Sequence, residues 1–412
     1  MAQLGLVTVT VRIYNTLTQT KDAIRGRGLD PRHLNVYICG PTVYDSPHLG
    51  HARSYIFFDT LRRVLLLDGY SLNYIQNFSD VDEKIDLRAT LEGVVPSVIS
   101  ERYKEEFLRD MDRLNVIRYD VYTNASHIKE FMHRVTRILM EEGKCYRGGD
   151  NVYFDTASGG GFGSLLHDKL DNLISGSEAD GYTFQKRDKH DFVIWLGDFK
   201  PDSFRDSEGR PSWNLECFCI VHRQVGCELD IQGGGLDLVF PHHEVASVLS
   251  KSYCNVEFAN YYIHNAFVTI KSDKMSKSLQ NYVGTRELLQ EHGADAIRLY
   301  LLSRHFRENI EYDPVELSKW TEAARMLRGK LEEAGALSGT GEVKTGSAGG
   351  LTPAAEKFME MLRDDLHTER AIDFLVEKAG ERGEKALSVD DMKYMSAALG
   401  LSGFRPVRES QN

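Results

Sequence analysis

Hydrophobic positions along the first ninety residues alternate between the spacing of strands and the spacing of helices. Residues 35–39 form an apolar, β-rich run that ends in a Gly-Pro-Thr turn, and the alternating N-terminal segment also indicates a strand. Residues 51–67 place apolar side chains at helical intervals, and residues 72–77 return to strand character. This strand–turn–helix–strand order is typical of a parallel, doubly wound sheet, which binds ligands where strands end and helices begin.

Helical spacing dominates most of the remaining chain, and a central region interrupts it. Residues 96–142 and the chain from residue 285 onward are predicted to be helical. Residues 155–215, rich in Gly, Asp and Ser, are predicted to form an irregular insertion between two halves of the sheet. Short strands are predicted at 151–155, 228–231 and 261–270, and a glycine-rich linker at 335–351.

The composition is that of a globular protein. Of the 412 residues, 42% are apolar and 27% are charged, which excludes disordered and fibrous classes. The net charge of −11 argues against nonspecific nucleic-acid affinity, although it is compatible with a local basic groove. No apolar run approaches the roughly 18 residues of a membrane span, and the N-terminus lacks a signal-peptide layout. We therefore expect a cytoplasmic protein without membrane contact.

Six cysteines are spread along the chain without a CxxC pair, which argues against a zinc ribbon or a thioredoxin motif. In an intracellular enzyme such thiols are expected to stay reduced. Cysteines that bind a metal here must therefore come together from segments that are far apart in the sequence.

The run His48-Leu49-Gly50-His51 follows a predicted strand and turn and opens a predicted helix. The first turn of a helix offers free N–H groups and partial positive charge to phosphates. Two histidines at this position can donate to phosphate oxygens, and Gly50 lets a flat purine approach the backbone. The alternative is that the two histidines are helix caps or surface residues.

The run Lys274-Met275-Ser276-Lys277-Ser278 lies in a polar segment after the predicted strand 261–270. Its two lysines can neutralise the charge that develops on a departing pyrophosphate. The alternative is an ordinary solvated loop.

The two motifs in this order resemble the paired signature of class I aminoacyl-tRNA synthetases, and the surrounding residues resemble cysteinyl-tRNA synthetases. The resemblance spans roughly residues 12–335, with a weaker match over 355–401. Its specific residues are the run Cys39-Gly40-Pro41-Thr42-Val43-Tyr44-Asp45, Trp213, Glu216-Cys217, Gly233-Gly234-Gly235-Leu236-Asp237, and Phe240-Pro241-His242-His243-Glu244.

The resemblance implies an α/β fold: a Rossmann-like parallel sheet with an insertion domain and a C-terminal α-helical bundle. It implies that the enzyme condenses cysteine with ATP, supplied with Mg²⁺, and transfers cysteine to the 3′ end of tRNA(Cys). His48, His51, Lys274 and Lys277 would be catalytic. Thr42, Gly50, Gly235, Asp237 and Lys277 would contact ATP, and Cys39, Thr42 and Trp213 would contact cysteine.

The resemblance also implies a zinc ion that takes the substrate thiolate, with Cys39, Cys217 and His242 as ligands. Zinc binds a thiolate far better than a hydroxyl, so it would separate cysteine from serine. The family's fourth ligand is a glutamate, and its position is Ala246 here. Glu244, a water, or one of Cys219 and Cys227 is the alternative fourth ligand. If Cys217-Phe218-Cys219 is a strand, the thiols of Cys217 and Cys219 lie on one side of it.

Further departures from the family pattern lie near the same pocket. They are Ser212, Asn214, Gln232 and Gln280, which replace glycine, histidine, histidine and glycine. Asn and Gln keep hydrogen-bonding capacity but do not titrate. The changes indicate either an altered specificity or a rebuilt cysteine site.

The expected organisation follows from the same resemblance. Residues 1–114 and 216–284 form the split catalytic domain, and residues 115–215 the connective insertion. Residues 285–334 contact the tRNA stem, 335–352 form a linker, and 353–412 a helical region, with the usual anticodon domain absent. Arg304, Arg307, Arg325 and Arg328 face the tRNA, or else belong to an ordinary solvated helix face.

Two other functions remain open at this stage. One is an ATP-dependent ligase that joins cysteine to an amino sugar, as in mycothiol biosynthesis, although Pro41-Thr42-Val43 fits the tRNA enzyme better. The other is a non-catalytic synthetase paralogue that binds tRNA or a protein partner. The sequence leaves the oligomeric state open, with a monomer favoured.

Overall fold

A computed structural model of the chain describes residues 10–159, 161–167, 186–275, 281–337, 341–345, 351–381 and 386–408. Its α-helices are α1 (Leu49–Leu67), α2 (Glu83–Glu92), α3 (Pro96–Arg113), α4 (Lys129–Glu141), α5 (Trp213–Val225), α6 (Glu244–Cys254), α7 (Thr285–Glu291), α8 (Ala294–Leu302), α9 (Pro314–Glu333), α10 (Pro353–Arg363), α11 (Thr368–Gly380) and α12 (Val389–Leu399). Its strands are β1 (Arg12–Asn15), β2 (Thr20–Ala23), β3 (His33–Ile38), β4 (Ser71–Phe78), β5 (Val121–Asn124), β6 (Cys145–Gly148), β7 (Asn151–Phe154), β8 (Phe192–Leu196), β9 (Arg210–Pro211), β10 (Leu229–Gly235), β11 (Ala259–Asn265), β12 (Val268–Ile270), β13 (Asp273–Lys274), β14 (Ile310–Glu311), β15 (Glu342–Thr345) and β16 (Arg405–Arg408).

Five parallel strands form the central sheet, in the order β11-β10-β3-β4-β5. β3 lies in the middle, where Val36 pairs with Ile231 of β10 and with Tyr74 of β4. The predicted parallel α/β sheet is confirmed. Because the strands are parallel, the loops after β3, β4, β10 and β11 emerge at one edge of the sheet.

The region expected to be an irregular insertion contributes two strands to a second sheet, and the predicted strand at 151–155 is confirmed as β7. β6, β7, β8 and β9 pair antiparallel into four strands. The expectation for 155–215 is therefore wrong at β8 and β9, whereas 168–185 lies outside the described residues. β8 reads Phe-Val-Ile-Trp-Leu, a continuous apolar run without the alternation that marks a half-buried strand.

Short strands account for three further corrections. β5 lies inside the range 96–142 that was predicted to be helical, and it pairs with β4 at the edge of the central sheet. β15 lies inside the predicted linker and pairs in parallel with β16. β14 lies inside the range from residue 285 that was predicted to be helical, and it pairs in parallel with β12. Segments this short have too few residues to show a hydrophobic period. The strand indicated near the N-terminus is confirmed as β1, which pairs antiparallel with β2.

The C-terminal helices pack directly against α1 and share one hydrophobic core with it. An ionic network lies at this junction: Oδ2 of Asp59 accepts hydrogen bonds from Arg63 Nε at 2.7 Å and from an Arg298 terminal nitrogen at 2.6 Å. Arg63 also donates to the Phe404 carbonyl at 2.7 Å, and Arg298 donates to the Leu399 carbonyl at 2.7 Å. Asp59, Arg63 and Arg298 are fully buried, so the network fixes the C-terminal helices on α1.

Across the described residues, no helix combines the length and the apolar character that a membrane crossing requires.

Candidate active site and metal centre

A cleft of about 610 Å³ opens at the carboxyl ends of the central strands. It is bordered by the turn after β3, the start of α1, the glycine-rich end of β10 and the segment after β11. This is where a doubly wound sheet is expected to bind a ligand. Its lining brings together nine residues singled out in the sequence: Cys39, Thr42, His48, Gly50, His51, Trp213, Gly235, Asp237 and Lys274.

His48 and His51 cap the first turn of α1. His48 Nδ1 accepts from the Gly50 N–H at 3.1 Å, and His51 Nδ1 accepts from the His48 N–H at 3.2 Å. Their rings lie 3.8 Å apart between centroids. Because Nδ1 of each ring accepts, the proton of each neutral imidazole is assigned to Nε2. The capping role weighed against phosphate binding is thus present in the structure.

Asp237 and Lys274 form an ion pair at the mouth of the cleft, with 2.6 Å between Oδ2 and Nζ. The Lys274 ammonium also lies 4.9 Å from the centre of the Phe267 ring. A Cβ at Gly235 would come within 2.5 Å of Asp237 Oδ1, so a side chain there would displace that carboxylate. Lys277 lies outside the described residues.

Cys39, Cys217 and His242 form a compact buried group behind the cleft, with their ligand atoms all within 4.8 Å of one another. Cys39 Sγ is 3.4 Å from Cys217 Sγ, and Cys217 Sγ is 2.8 Å from His242 Nε2. Two thiols and one imidazole that converge in this way are a donor set suited to zinc. The residues present therefore fit the metal that the resemblance implies. Cys39 belongs both to this group and to the cleft lining.

The surroundings of this group keep its donors in place. The Trp213 ring stacks on the His242 ring, with 4.6 Å between centroids and 16° between planes. Trp213 therefore joins the cleft lining to the candidate ligand His242. Burial raises the pKa of the Cys217 thiol well above its usual value, and a neighbouring cation would oppose that shift. Burial also raises the pKa of Glu216 to about 8.

The structure does not bring Glu244 to the candidate metal ligands. Its carboxylate accepts backbone N–H bonds from Gly163 at 2.7 Å, Ser164 at 3.1 Å and Leu165 at 2.8 Å. Ala246, at the position of the family's glutamate, is fully buried and offers no donor. The carboxylate of Glu244 anchors the loop 163–165 instead.

The two alternative cysteines also lie elsewhere. Cys217 and Cys219 are on α5 rather than on the strand that was expected, so their side chains point about 200° apart around the helix. Cys227 forms a disulfide with Cys254. The expectation that all six thiols stay reduced is therefore wrong for this pair.

A line of polar residues extends from Cys39, and its far members, His264 and Thr16, were not singled out in the sequence. His243 Nε2 lies 3.1 Å from Cys39 Sγ and 2.8 Å from the Gln232 amide nitrogen. His243 Nδ1 lies 2.7 Å from His264 Nε2, and His264 Nδ1 lies 2.8 Å from the Thr16 hydroxyl. Burial lowers the pKa of His264 to about 3 and that of His243 well below its usual value, so both rings are neutral. His264 could have been found from the sequence, because it lies in a predicted strand, near the carboxyl end of β11, where ligand sites occur in parallel sheets.

Solved structures with the same architecture are aminoacyl-tRNA synthetases. A Mycobacterium tuberculosis methionyl-tRNA synthetase in complex with methionyl-adenylate superposes with a TM-score of 0.58 and 15% identity, covering 89% of each chain. A ternary complex of an Agrobacterium radiobacter LeuRS with tRNA and LeuAMS gives a TM-score of 0.61 and 11% identity, covering 91% of this chain and 84% of the other. The fold is that of a class I aminoacyl-tRNA synthetase.

Sequence comparison identifies the family within this class. Residues 27–322 match the family model of the class I (C) tRNA synthetase catalytic domain. The chain is 41% identical over 322 residues to a cysteine–tRNA ligase of Desulforudis audaxviator, covering 77% of this chain and 66% of that protein. It is 36% identical over 413 residues to one of Thermococcus gammatolerans, covering 97% and 86%. The chain belongs to the cysteinyl-tRNA synthetase family.

The matched length differs among these relatives. The chain spans slightly less than two thirds of the Desulforudis audaxviator ligase, at 66%, and 63% of the cysteine–tRNA ligase of Desulforamulus reducens, with which it is 40% identical over 311 residues.

Proposed function

We propose that this protein is a cysteine–tRNA ligase, which activates cysteine with ATP and transfers it to tRNA(Cys). One observation carries the proposal: Cys39 borders the cleft that holds the HLGH motif and also belongs to the buried thiol–imidazole group. If the thiol of a substrate cysteine binds at that group, the carboxylate of the same cysteine lies beside the nucleotide site. The relatives described above are cysteine–tRNA ligases, which agrees with this arrangement.

The start of α1 is the proposed phosphate site. His48 and His51 would donate from Nε2 to ATP phosphate oxygens, because the Nδ1 atoms are engaged by the helix cap. Gly50 leaves room at the same turn, since a Cβ there would meet the His48 ring at 2.9 Å. Thr42, in the turn after β3, would contact the nucleotide together with the substrate.

The opposite wall of the cleft would hold the adenosine and the departing pyrophosphate. Gly235 would lie against the adenosine, and Asp237 would accept from ribose hydroxyls. Lys274 and Lys277 would neutralise phosphate charge in the transition state. In this proposal Lys274 exchanges its Asp237 partner for phosphate when ATP, carried with Mg²⁺, is bound.

Zinc is the proposed metal, with Cys39, Cys217 and His242 as ligands and Trp213 as the wall of the cysteine pocket. When bound, zinc would supply a Lewis acid that prefers a thiolate to a serine hydroxyl. Cys39 and Cys217 would provide the thiolate donors, and Trp213 holds the His242 ring in place by stacking.

The fourth donor position is proposed to be filled by an exogenous donor such as water. His243 Nε2 lies 3.1 Å from Cys39 Sγ, but it does not belong to the group of ligand atoms that all lie within 4.8 Å of one another. Because Ala246 stands at the position of the family's glutamate, Ala246→Glu should tighten zinc binding. Competition with a chromophoric chelator would measure the change, and unchanged affinity would contradict a fourth position that the chain leaves to an exogenous donor.

The proposed regions for tRNA contact lie in the helical half of the chain. Residues 285–334 would contact the tRNA stem, and α10, α11 and α12 would form the C-terminal helical region. Arg304, Arg325 and Arg328 are exposed, but each pairs with a glutamate. Arg307 instead pairs with the buried Asp365, so it links the segment after α8 to the segment between α10 and α11. We propose a monomer that contacts tRNA through the first three arginines.

The deciding experiment is cysteine-dependent ATP–pyrophosphate exchange, with the zinc content measured on the same sample. Exchange with cysteine and not with serine, together with bound zinc, is the expected result. Charging of tRNA(Cys) and of a glucosaminyl-inositol acceptor would then be compared, and only the tRNA should accept cysteine. Well-folded protein that exchanges with no amino acid would overturn the proposal and indicate a non-catalytic binding protein.

A further inference from the structure

A second group of soft donors lies outside the cleft, where α5 and α6 end. It consists of His222 in the last turn of α5, Cys227 just after that helix, and Cys254 at the end of α6. Their ligand atoms lie within 4.8 Å of one another, and all three residues are partly exposed. In the structure the two cysteines are joined as a disulfide. Neither the proposed catalysis nor the group around Cys39 uses them.

The distances in this group fit a metal site. His222 Nδ1 lies 3.6 Å from Cys227 Sγ and 3.6 Å from Cys254 Sγ. A tetrahedral zinc ion with Zn–S of about 2.3 Å and Zn–N of about 2.0–2.1 Å places its sulfur and nitrogen ligands about 3.6 Å apart. The distance from the imidazole to each sulfur is therefore that of a zinc ligand. The disulfide must be reduced before the two sulfurs can bind a metal.

The position in the fold favours a cation. α5 and α6 pack against each other, and both helices end at this group. The carboxyl end of a helix carries partial negative charge, so two such ends stabilise a positive ion between them. The His222 ring is held in place by neighbouring rings, with centroid distances of 5.9 Å to Phe131 and 5.2 Å to Tyr253. A fixed imidazole loses little entropy when it binds a metal.

We propose that His222, Cys227 and Cys254, once the disulfide is reduced, form a second metal site for a zinc-class divalent ion. An external dithiol would cleave the Cys227–Cys254 bond, leave two thiols on the protein and become a disulfide itself. Each protein thiol then loses a proton on binding the ion. The fourth position is open to water or another exogenous donor, and the oxidised form of the protein does not bind a metal here.

The test is a Co²⁺ titration of the full chain, because thiolate-bound Co²⁺ absorbs in the near ultraviolet. Fully reduced, metal-stripped protein should bind one more equivalent of Co²⁺ than the Cys227→Ser/Cys254→Ser variant. Cys145→Ser is the matched control, because Cys145 is a buried free cysteine outside both groups, and it should bind as the wild type does. Equal binding by wild type and double variant would overturn the proposal.

Two further measurements guard against a folding defect in the double variant. His222→Gln keeps both cysteines and should still form the disulfide, yet it should lose the extra equivalent of Co²⁺. In reduced wild type, bound Zn²⁺ should protect Cys227 and Cys254 from iodoacetamide, as read by peptide mass spectrometry. Rapid alkylation of both with zinc present, or the extra equivalent persisting in oxidised protein, would contradict the assignment. Cys217→Ser should leave this site intact and affect only the other group.

Discussion

Asp59 is the residue on which the junction between α1 and the C-terminal helices depends. Its Oδ2 lies between two buried guanidinium groups, and its Oδ1 accepts from the Ile117 N–H at 2.8 Å. Burial alone would raise the pKa of this carboxyl, but the charges of Arg63 and Arg298 outweigh it and hold the pKa below its usual value. The carboxylate is therefore ionised throughout the neutral range.

We predict that Asp59→Asn lowers the free energy of unfolding by about 3–5 kcal/mol, because it leaves two buried positive charges without their partner. Urea unfolding at neutral pH would measure the change. Glu322→Gln is the matched control, since its pair with Arg325 is exposed. An equal and small effect of both variants would contradict the ionic role of Asp59.

The same residue predicts a dependence on pH. Because the folded pKa of Asp59 is depressed, its contribution is fully present above the usual aspartate pKa of about 3.9. It is lost as the pH falls through the lower folded value. The difference in unfolding free energy between wild type and Asp59→Asn should therefore stay constant from pH 7 to 5 and shrink below pH 4.

Two single substitutions separate the proposed roles in the cleft. Lys277→Ala should slow adenylate formation by about 10²-fold while leaving zinc content and thermal stability unchanged, because it removes a charge contact made in the transition state. Cys217→Ser should instead lose zinc and cysteine affinity together. Pre-steady-state adenylate formation and metal analysis would distinguish them. An unchanged rate for the first, or full zinc in the second, would remove that residue from its role.

Much of this cleft could be predicted from the sequence. The order of strand, turn and helix places His48 and His51 at the start of α1. In a parallel sheet the helix after a strand begins at the carboxyl edge, which is where the cleft lies. The environment of Glu244 could not be predicted. Its partners are backbone groups about eighty residues earlier in the chain, and only the folded insertion brings them near.

At the scale of elements, the start of α6 holds the loop 163–165 through the carboxylate of Glu244. Glu244→Gln should lower the free energy of unfolding by about 1–3 kcal/mol, since the buried carboxylate accepts three backbone N–H bonds that an amide satisfies less well. The loop 161–167 should also become more sensitive to protease. Zinc content should not change, and a loss of zinc would instead indicate that Glu244 is a ligand.

The elements that could be predicted are those long enough to show a period. α1 spans five turns with an apolar face, whereas β5 and β15 have four residues each. The four-residue strands are stabilised by pairing with neighbours from distant segments, which no local pattern records. α5 was predicted as strand at Cys217–Cys219 because a short apolar run has no unique period.

For the molecule as a whole, the C-terminal helices share one hydrophobic core with α1 and the central sheet. Arg298→Met should lower the free energy of unfolding by about 3–5 kcal/mol, since Asp59 and the Leu399 carbonyl lose a buried donor. Early proteolytic cleavage should then appear within 353–408. Arg325→Met, which changes an exposed arginine, is the control. Unfolding of the variant in two separate steps would show that the two parts are independent.

The stacking of Trp213 on His242 has an optical consequence. The chain has three tryptophans, and Trp213 alone among them touches a candidate zinc ligand in the described structure. An imidazole that binds a metal becomes electron-poor, and an electron-poor ring stacked on an indole quenches its emission. Intrinsic fluorescence should therefore fall as zinc is added to stripped protein, and Trp213→Phe should abolish the response while Trp195 and Trp320 continue to emit. The protein would then carry its own reporter of metal occupancy.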